Sequence, residues 1–162
     1  MLQMQVFTDA SVNTQLKVGY GAYLLVSDPN SPLETLKDSV KTKRFAPTSS
    51  TKLELQTLLW ALHDIATLID LSNITLTVYT DSQNILGLTQ RRERLEQNNY
   101  QSSKNKPLNN AELYQTFYQL NTKLNFTLVK VAGHQQAHLK DAIDRLFTLV
   151  DKAARQALRA EF

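Results

Sequence analysis

The chain has no cysteine. That excludes disulfide staples and thiolate metal sites, so any metal must be held by oxygen or by histidine nitrogen; it says little about compartment. No apolar run approaches the length needed to cross a bilayer, and no basic-then-apolar leader precedes the first strand-like segment. The expectation is a soluble, cytoplasmic protein. An excess of one charge is also missing: a net charge of +3 and a pI near 9.1 are only mildly basic, so the placement of cations matters more than their total. There is no internal repeat and no low-complexity tract. The 162 residues, 42% hydrophobic, suit a single domain over 1–162 with a real core and would be cramped as two.

The stretch around which the rest is ordered is Met4 to Ser11, MQVFTDAS. Its period-two alternation, with β-branched and aromatic residues, reads as a strand running into Asp9. One such acid alone would be a turn aspartate. The pattern repeats, however: ITLTVYT runs into Thr80-Asp81-Ser82, and Glu54 opens a long amphipathic segment. The repetition points to acids that converge on metal ions beside a nucleic acid.

Val18 to Val26 reads as a second strand, close enough in sequence to pair antiparallel with the first. Asp28-Pro29-Asn30-Ser31-Pro32 is turn chemistry, and a third, polar edge strand is expected from Glu34 to Phe45. From Thr51 to Asp70 the positions Leu55, Leu58, Leu59, Leu62, Ile65, Ala66 and Ile69 recur at three- and four-residue steps, a buried helix face. Thr48, Ser49, Ser50 and Thr51 are its candidate N-caps. A strand from Ile74 to Thr80, a short helix after Asp81, a polar excursion over 91–110, a helix from Ala111 to Leu124, a strand from Phe126 to Val131 and a helix from Asp141 to Ala160 complete the order. An antiparallel meander continuing into strand-helix-strand units predicts an α/β fold, a mixed five-stranded sheet with helices on its faces.

In that arrangement Asp9, Glu54, Asp81 and an acid on the last helix can meet near one end of the sheet. Clustered carboxylates raise one another's pKa and protonate if left alone; divalent cations remove the problem. Oxygen ligands point to magnesium or manganese, and two ions ~3.5–4 Å apart can activate a water and stabilise the leaving oxygen of a phosphodiester.

FTDAS, TKLELQTLLWAL, YTDSQ, VAGH and VDKAARQAL, in this order, resemble type I ribonuclease H over nearly the whole chain. The resemblance implies the ribonuclease H-like sheet, hydrolysis of the RNA strand of RNA/DNA hybrids, and two magnesium ions, with manganese as the alternative. By position Asp9 matches the ligand shared by both metals, Glu54 and Asp81 match ligands of the second, and Asp151 matches the carboxylate holding the metal that carries the attacking water. His134 matches the histidine that assists turnover or product release; His138 is a rival in the same loop, and His63 reads as structural. LKDAIDRLFTL lengthens the interval between His134 and Asp151 and brings in Asp144 as a competing carboxylate. Asp144 and Asp151 share a helix face but stand ~10 Å apart along its axis, so one of them reaches the metals, and VDKAARQAL favours Asp151. Ala10 stands where the family commonly has glycine.

For the substrate, Asn13, Ser49, Ser50, Thr51 and Gln83 occupy positions that resemble family contacts, with turn and capping roles as the alternative for each. Ser49 matches part of a DNA phosphate pocket, and a helix N-terminus there favours an anion independently. The 91–110 excursion holds Arg91, Arg92, Arg94, Lys104 and Lys106 against Glu93 and Glu96, with Tyr100 among them. It resembles the basic handle of bacterial ribonucleases H, which implies phosphate binding that weakens with salt. Trp60 reads as a core anchor, with base stacking as the lesser role. Competing readings are a superfamily nuclease acting on DNA junctions, a catalytically silent nucleic-acid-binding module, and the ribonuclease H portion of a reverse transcriptase. A monomer is the default expectation.

Overall fold

The protein is described by a computed structural model covering residues 2–28, 30–132 and 141–162. The opening alternation forms β1 (Leu2–Asn13), which pairs antiparallel with β2 (Val18–Val26) and parallel with β4 (Ile74–Thr80). With β3 (Lys41–Phe45) beside β2 and β5 (Phe126–Lys130) beside β4, the strand order is β3-β2-β1-β4-β5. This is the expected mixed five-stranded sheet, with β1 at its centre.

The pleat of β1 sends neighbouring side chains to opposite faces, so each face acquires its own apolar layer. Met4 and Val6, with Leu76 and Val78 of β4, pack against α2 (Ser50–Leu68) through Leu58, Leu62 and Ile65, and against α5 (Ala111–Lys123) through Tyr114, Phe117 and Tyr118. Phe7, with Ala22, Leu24 and Val26 of β2, packs against α6 (Ala142–Glu161) through Leu146, Phe147, Val150 and Ala154. Trp60 sits at the margin of the first layer, edge-on to Tyr23 and Phe45 at ring-centroid separations of 4.9 and 6.3 Å.

Gly21 sets how closely α2 lies on the sheet. A β-carbon there would stand 2.2 Å from the Thr57 hydroxyl, and one at Gly19 would stand 2.3 Å from a Leu53 methyl. The first turns of α2, which carry Glu54, are therefore seated directly on β2.

Two expectations need correction. The segment from Glu34 to Phe45 is not one strand: α1 (Leu33–Lys37) precedes β3. Pro32, with φ of −59°, stands at its N-cap, Glu34 and Lys37 suit the helix dipole at either end, and Leu36 is buried in the α6-side layer. The 91–110 stretch is likewise less of an excursion than its composition suggests. α3 (Gln83–Leu86) leads into α4 (Leu88–Gln97), and Leu95 of α4 is buried in the core. Its Arg, Glu and Gln residues are good helix formers, and Asn99 and Tyr100, at φ of 50° and 57°, take the left-handed conformation that ends the helix.

Candidate active site

Asp9 does not end its strand, as the sequence suggested; it stands where β1 loses one neighbour. The parallel ladder with β4 stops at Phe7 and Tyr79, whereas the antiparallel ladder with β2 continues through Asp9 and Ala22 to Asn13 and Val18. Asp81 follows the last residue of β4. Asp81 thus stands just past the carboxyl end of β4 and Asp9 just past the end of the parallel ladder within β1, at the side of the sheet where open α/β folds commonly bind ligands.

The other two carboxylates come from helices on opposite faces. Glu54, half-buried on α2, accepts a hydrogen bond from the Ser82 hydroxyl. Ser82 is held in turn: its amide donates to Thr80 Oγ1 at 3.1 Å, and its hydroxyl oxygen caps α3 by accepting from the Ile85 amide at 3.2 Å. Burial raises the Glu54 carboxyl above its ordinary range, the Ser82 hydrogen bond opposes that, and the charge of Asp81 adds to it. Asp151, on α6 between the buried Val150 and Ala154, comes within hydrogen-bonding reach of Asp9.

Asp9 lies at this convergence. Burial pushes its carboxyl up to about 8, with the Asp81 charge, hydrogen bonding to Asp151 and the Asp151 charge adding to the shift and the Ala10 backbone opposing it. Asp144 is occupied differently. It forms a capping box with Asp141 at the start of α6, its amide donating to Asp141 Oδ1 at 2.8 Å while its carboxylate accepts from the Asp141 amide at 3.3 Å.

Chemically this donor set fits a divalent cation. All four groups are hard oxygen donors, and burial first, then the neighbouring Asp81 and Asp151, disfavours the charged form of Asp9, a penalty that a cation would relieve. Geometrically, no three His, Asp or Glu among the described residues form a ready-made metal-holding group. Asp151 is engaged by Arg155, and Glu54 by Ser82.

Of the expected substrate residues, Asn13 accepts from the Gln15 and Leu16 amides, at 3.1 Å each, and so closes the turn after β1. Ser49 is the N-cap of α2, accepting from the Lys52 amide at 3.3 Å; Ser50, Thr51 and Gln83 are exposed. A cavity of about 420 Å³ brings Ser49 and Thr51 together with Arg91, Asn109, Asn110 and Tyr114. The three arginines of α4 differ in their surroundings. Arg91 turns inward, donating to Asn84 Oδ1 at 3.1 Å with its guanidinium 5.6 Å from the Tyr114 ring centroid. Arg92 pairs with Glu96 at 2.8 Å and lies over Tyr118. Arg94 is exposed. His134 and His138 lie outside the described residues, and His63 is exposed on α2.

Sequence reading passed over Ser82 and Arg155. Ser82 was visible only as the residue after an acid, and its contact with Glu54 spans 28 positions. Arg155 carried a local signal, because a base four residues after an acid on a helix can pair with it.

The fold and the carboxylates define a class: α/β proteins with a mixed five-stranded sheet and acids gathered where the central strands part. The family model described as RNase H matches residues 1–159, and the chain belongs to that family. It is thereby placed among nucleases and nucleic-acid-binding proteins. No curated protein matches the sequence. Among the described residues no helix is long and apolar enough to cross a membrane.

Proposed function

We propose that this protein is an endoribonuclease that hydrolyses the RNA strand of RNA/DNA hybrids with two divalent ions, magnesium or manganese. The observation that carries the reading is the environment of Asp9: a partly buried carboxyl at the parting of β1 and β4, raised to about 8 with Asp81 and Asp151 beside it. A site with that much negative charge in little water is poised for divalent cations.

Asp9, Glu54, Asp81 and Asp151 would hold the ions. When bound, such ions lower the pKa of a water and stabilise charge on the leaving oxygen. The chain's own groups do the rest. Ser82 holds one oxygen of Glu54, the buried residues flanking Asp151 seat its helix on the sheet, and the close fit of α2 at Gly21 fixes where Glu54 can point. The exposed hydroxyls and amide of Ser50, Thr51 and Gln83, with Ser49 at the α2 N-terminus and Asn13 at the turn after β1, are the polar groups suited to sugar and phosphate contacts along the hybrid. Arg91, Arg92 and Arg94 form the basic side of a handle for the same substrate. His134 is assigned to turnover or product release. Residues 1–162 are assigned to one catalytic domain, and the domain to action as a monomer.

The test is cleavage of matched RNA/DNA hybrid, RNA duplex, single-stranded RNA and DNA junction, with magnesium or manganese, alongside Asp9→Asn. Metal-dependent cutting of the hybrid's RNA strand, absent in the variant, is the expected result. Cutting of the junction would show a DNA-directed nuclease, and binding without cutting in either metal a silent module; either would overturn the proposal.

A further inference from the structure

The guanidinium of Arg155 grips both oxygens of Asp151. Nε donates to Oδ1 at 3.1 Å and Nη2 donates to Oδ2, across one turn of α6. The acid-before-base order at a spacing of four is the favourable one on a helix, and the paired bonds match the planar fork to the carboxylate. Asp151, and to a smaller extent the charge of Asp9, favours the charged guanidinium. A cation therefore stands among carboxylates that otherwise repel one another, on the side from which α6 approaches the sheet.

The two partners differ in exposure. The Asp151 side chain is 19% exposed and the Arg155 side chain 44%. Asp151 is held near the sheet by its buried neighbours Val150 and Ala154, whereas Arg155 ends on a long stem that water can take up. Exposure keeps such a pair weak, so the guanidinium can leave at little cost. A divalent ion near Asp151 would meet both the lost lone pairs and the repulsion of a fixed positive charge.

We propose that Arg155 is a built-in counter-cation: it clamps Asp151 while the site is free of metal and competes with a divalent ion for that carboxylate. The inference rests on the reading of Asp9, Glu54, Asp81 and Asp151 as metal-holding groups. It makes Arg155 a positioning residue whose removal loosens the metal-free protein and strengthens metal binding. A residue that merely stabilised α6 would lower thermal stability equally with and without metal.

The experiment compares wild type, Arg155→Gln, Arg155→Lys, Asp151→Asn and the Arg155→Gln/Asp151→Asn pair. Each is melted in chelator and in saturating manganese or magnesium, and each is titrated calorimetrically with the metal alone. The expected results are a lower Tm for Arg155→Gln in chelator, no such loss on the Asp151→Asn background, a larger metal-induced rise in Tm than in wild type, and a Kd for metal several-fold lower. Arg155→Lys, which keeps the charge without the fork, should fall between. Equal or weaker metal binding by Arg155→Gln would overturn the competition. A chelated Tm loss that persists on the Asp151→Asn background would overturn the clamp. If neither wild type nor any variant binds metal, the competition fails together with the metal reading, and the chelated melts still decide whether Arg155 clamps Asp151.

Discussion

The Ser82 hydroxyl donates to the Glu54 carboxylate and so ties the end of β4 to the first turns of α2. The same oxygen caps α3, which makes Ser82 → Ala a double loss. The capping role predicts about 0.5–2 kcal/mol of lost stability, measured by urea unfolding. Release of Glu54 predicts a slower single-turnover cleavage rate at saturating enzyme with hybrid affinity little changed. A variant that lost affinity and kept its rate would remove Ser82 from the site.

The raised Asp9 makes a prediction about pH. Its folded-state pKa of about 8 lies above the ordinary 3.8, so between these values the native state holds a proton that the unfolded chain has released. Stability of the metal-free protein should therefore fall as pH rises from about 4 to about 8 and level off above. Asp9→Asn should abolish this part of the slope, and in chelator at pH 9 it should melt above wild type. Saturating magnesium should flatten the wild-type slope as well. Thermal melts across the range check all three.

Gly21 lies so close to Thr57 that even a methyl group is excluded. Gly21→Ala should cost about 1–3 kcal/mol through overpacking, read as a lower urea midpoint at unchanged m. Because the displaced element carries Glu54, the folded fraction of this variant should also cleave more slowly than wild type.

The α4 arginines should separate by variant. Arg94→Gln removes an exposed charge and should weaken hybrid binding, lower the salt slope by about one, and leave stability within about 0.5 kcal/mol. Arg91→Ala strips the inward contacts to Asn84 and Tyr114 and should lower Tm before it affects affinity. Binding titrations at several salt concentrations, with melts of the same proteins, distinguish the two. Equal Tm losses would show that these α4 charges are structural.

Local pattern made much of the architecture legible. Alternation in MQVFTDAS and ITLTVYT located β1 and β4, and β4 has the bounds read from the sequence. Three- and four-residue apolar steps located α2 to within two residues at either end. The order of elements then implied the mixed sheet, because strands close in sequence pair antiparallel and strands separated by a helix pair parallel. Where the signal was mixed, it misled. The polar residues of 34–45 hid a one-turn helix anchored by Leu36, and the charges of 91–110 masked the burial of Leu95.

The sequence by itself determined which acids exist, on which elements they lie, and that no thiolate can share a metal with them. Tertiary structure alone decided which of those acids meet. Asp144 and Asp151 share a helix face and were separable from sequence only by resemblance, yet packing of α6 on the sheet brings Asp151 to Asp9 while Asp144 closes a capping box at the helix start. It also decided that Asp9 sits at a parting of ladders within a continuing strand, and that Ser82 and Arg155 each hold a carboxylate of the site. Local periodicity reports which face of an element is buried. The electrostatics of a site depend on which buried faces are opposed, and that is settled only when the helices close on the sheet.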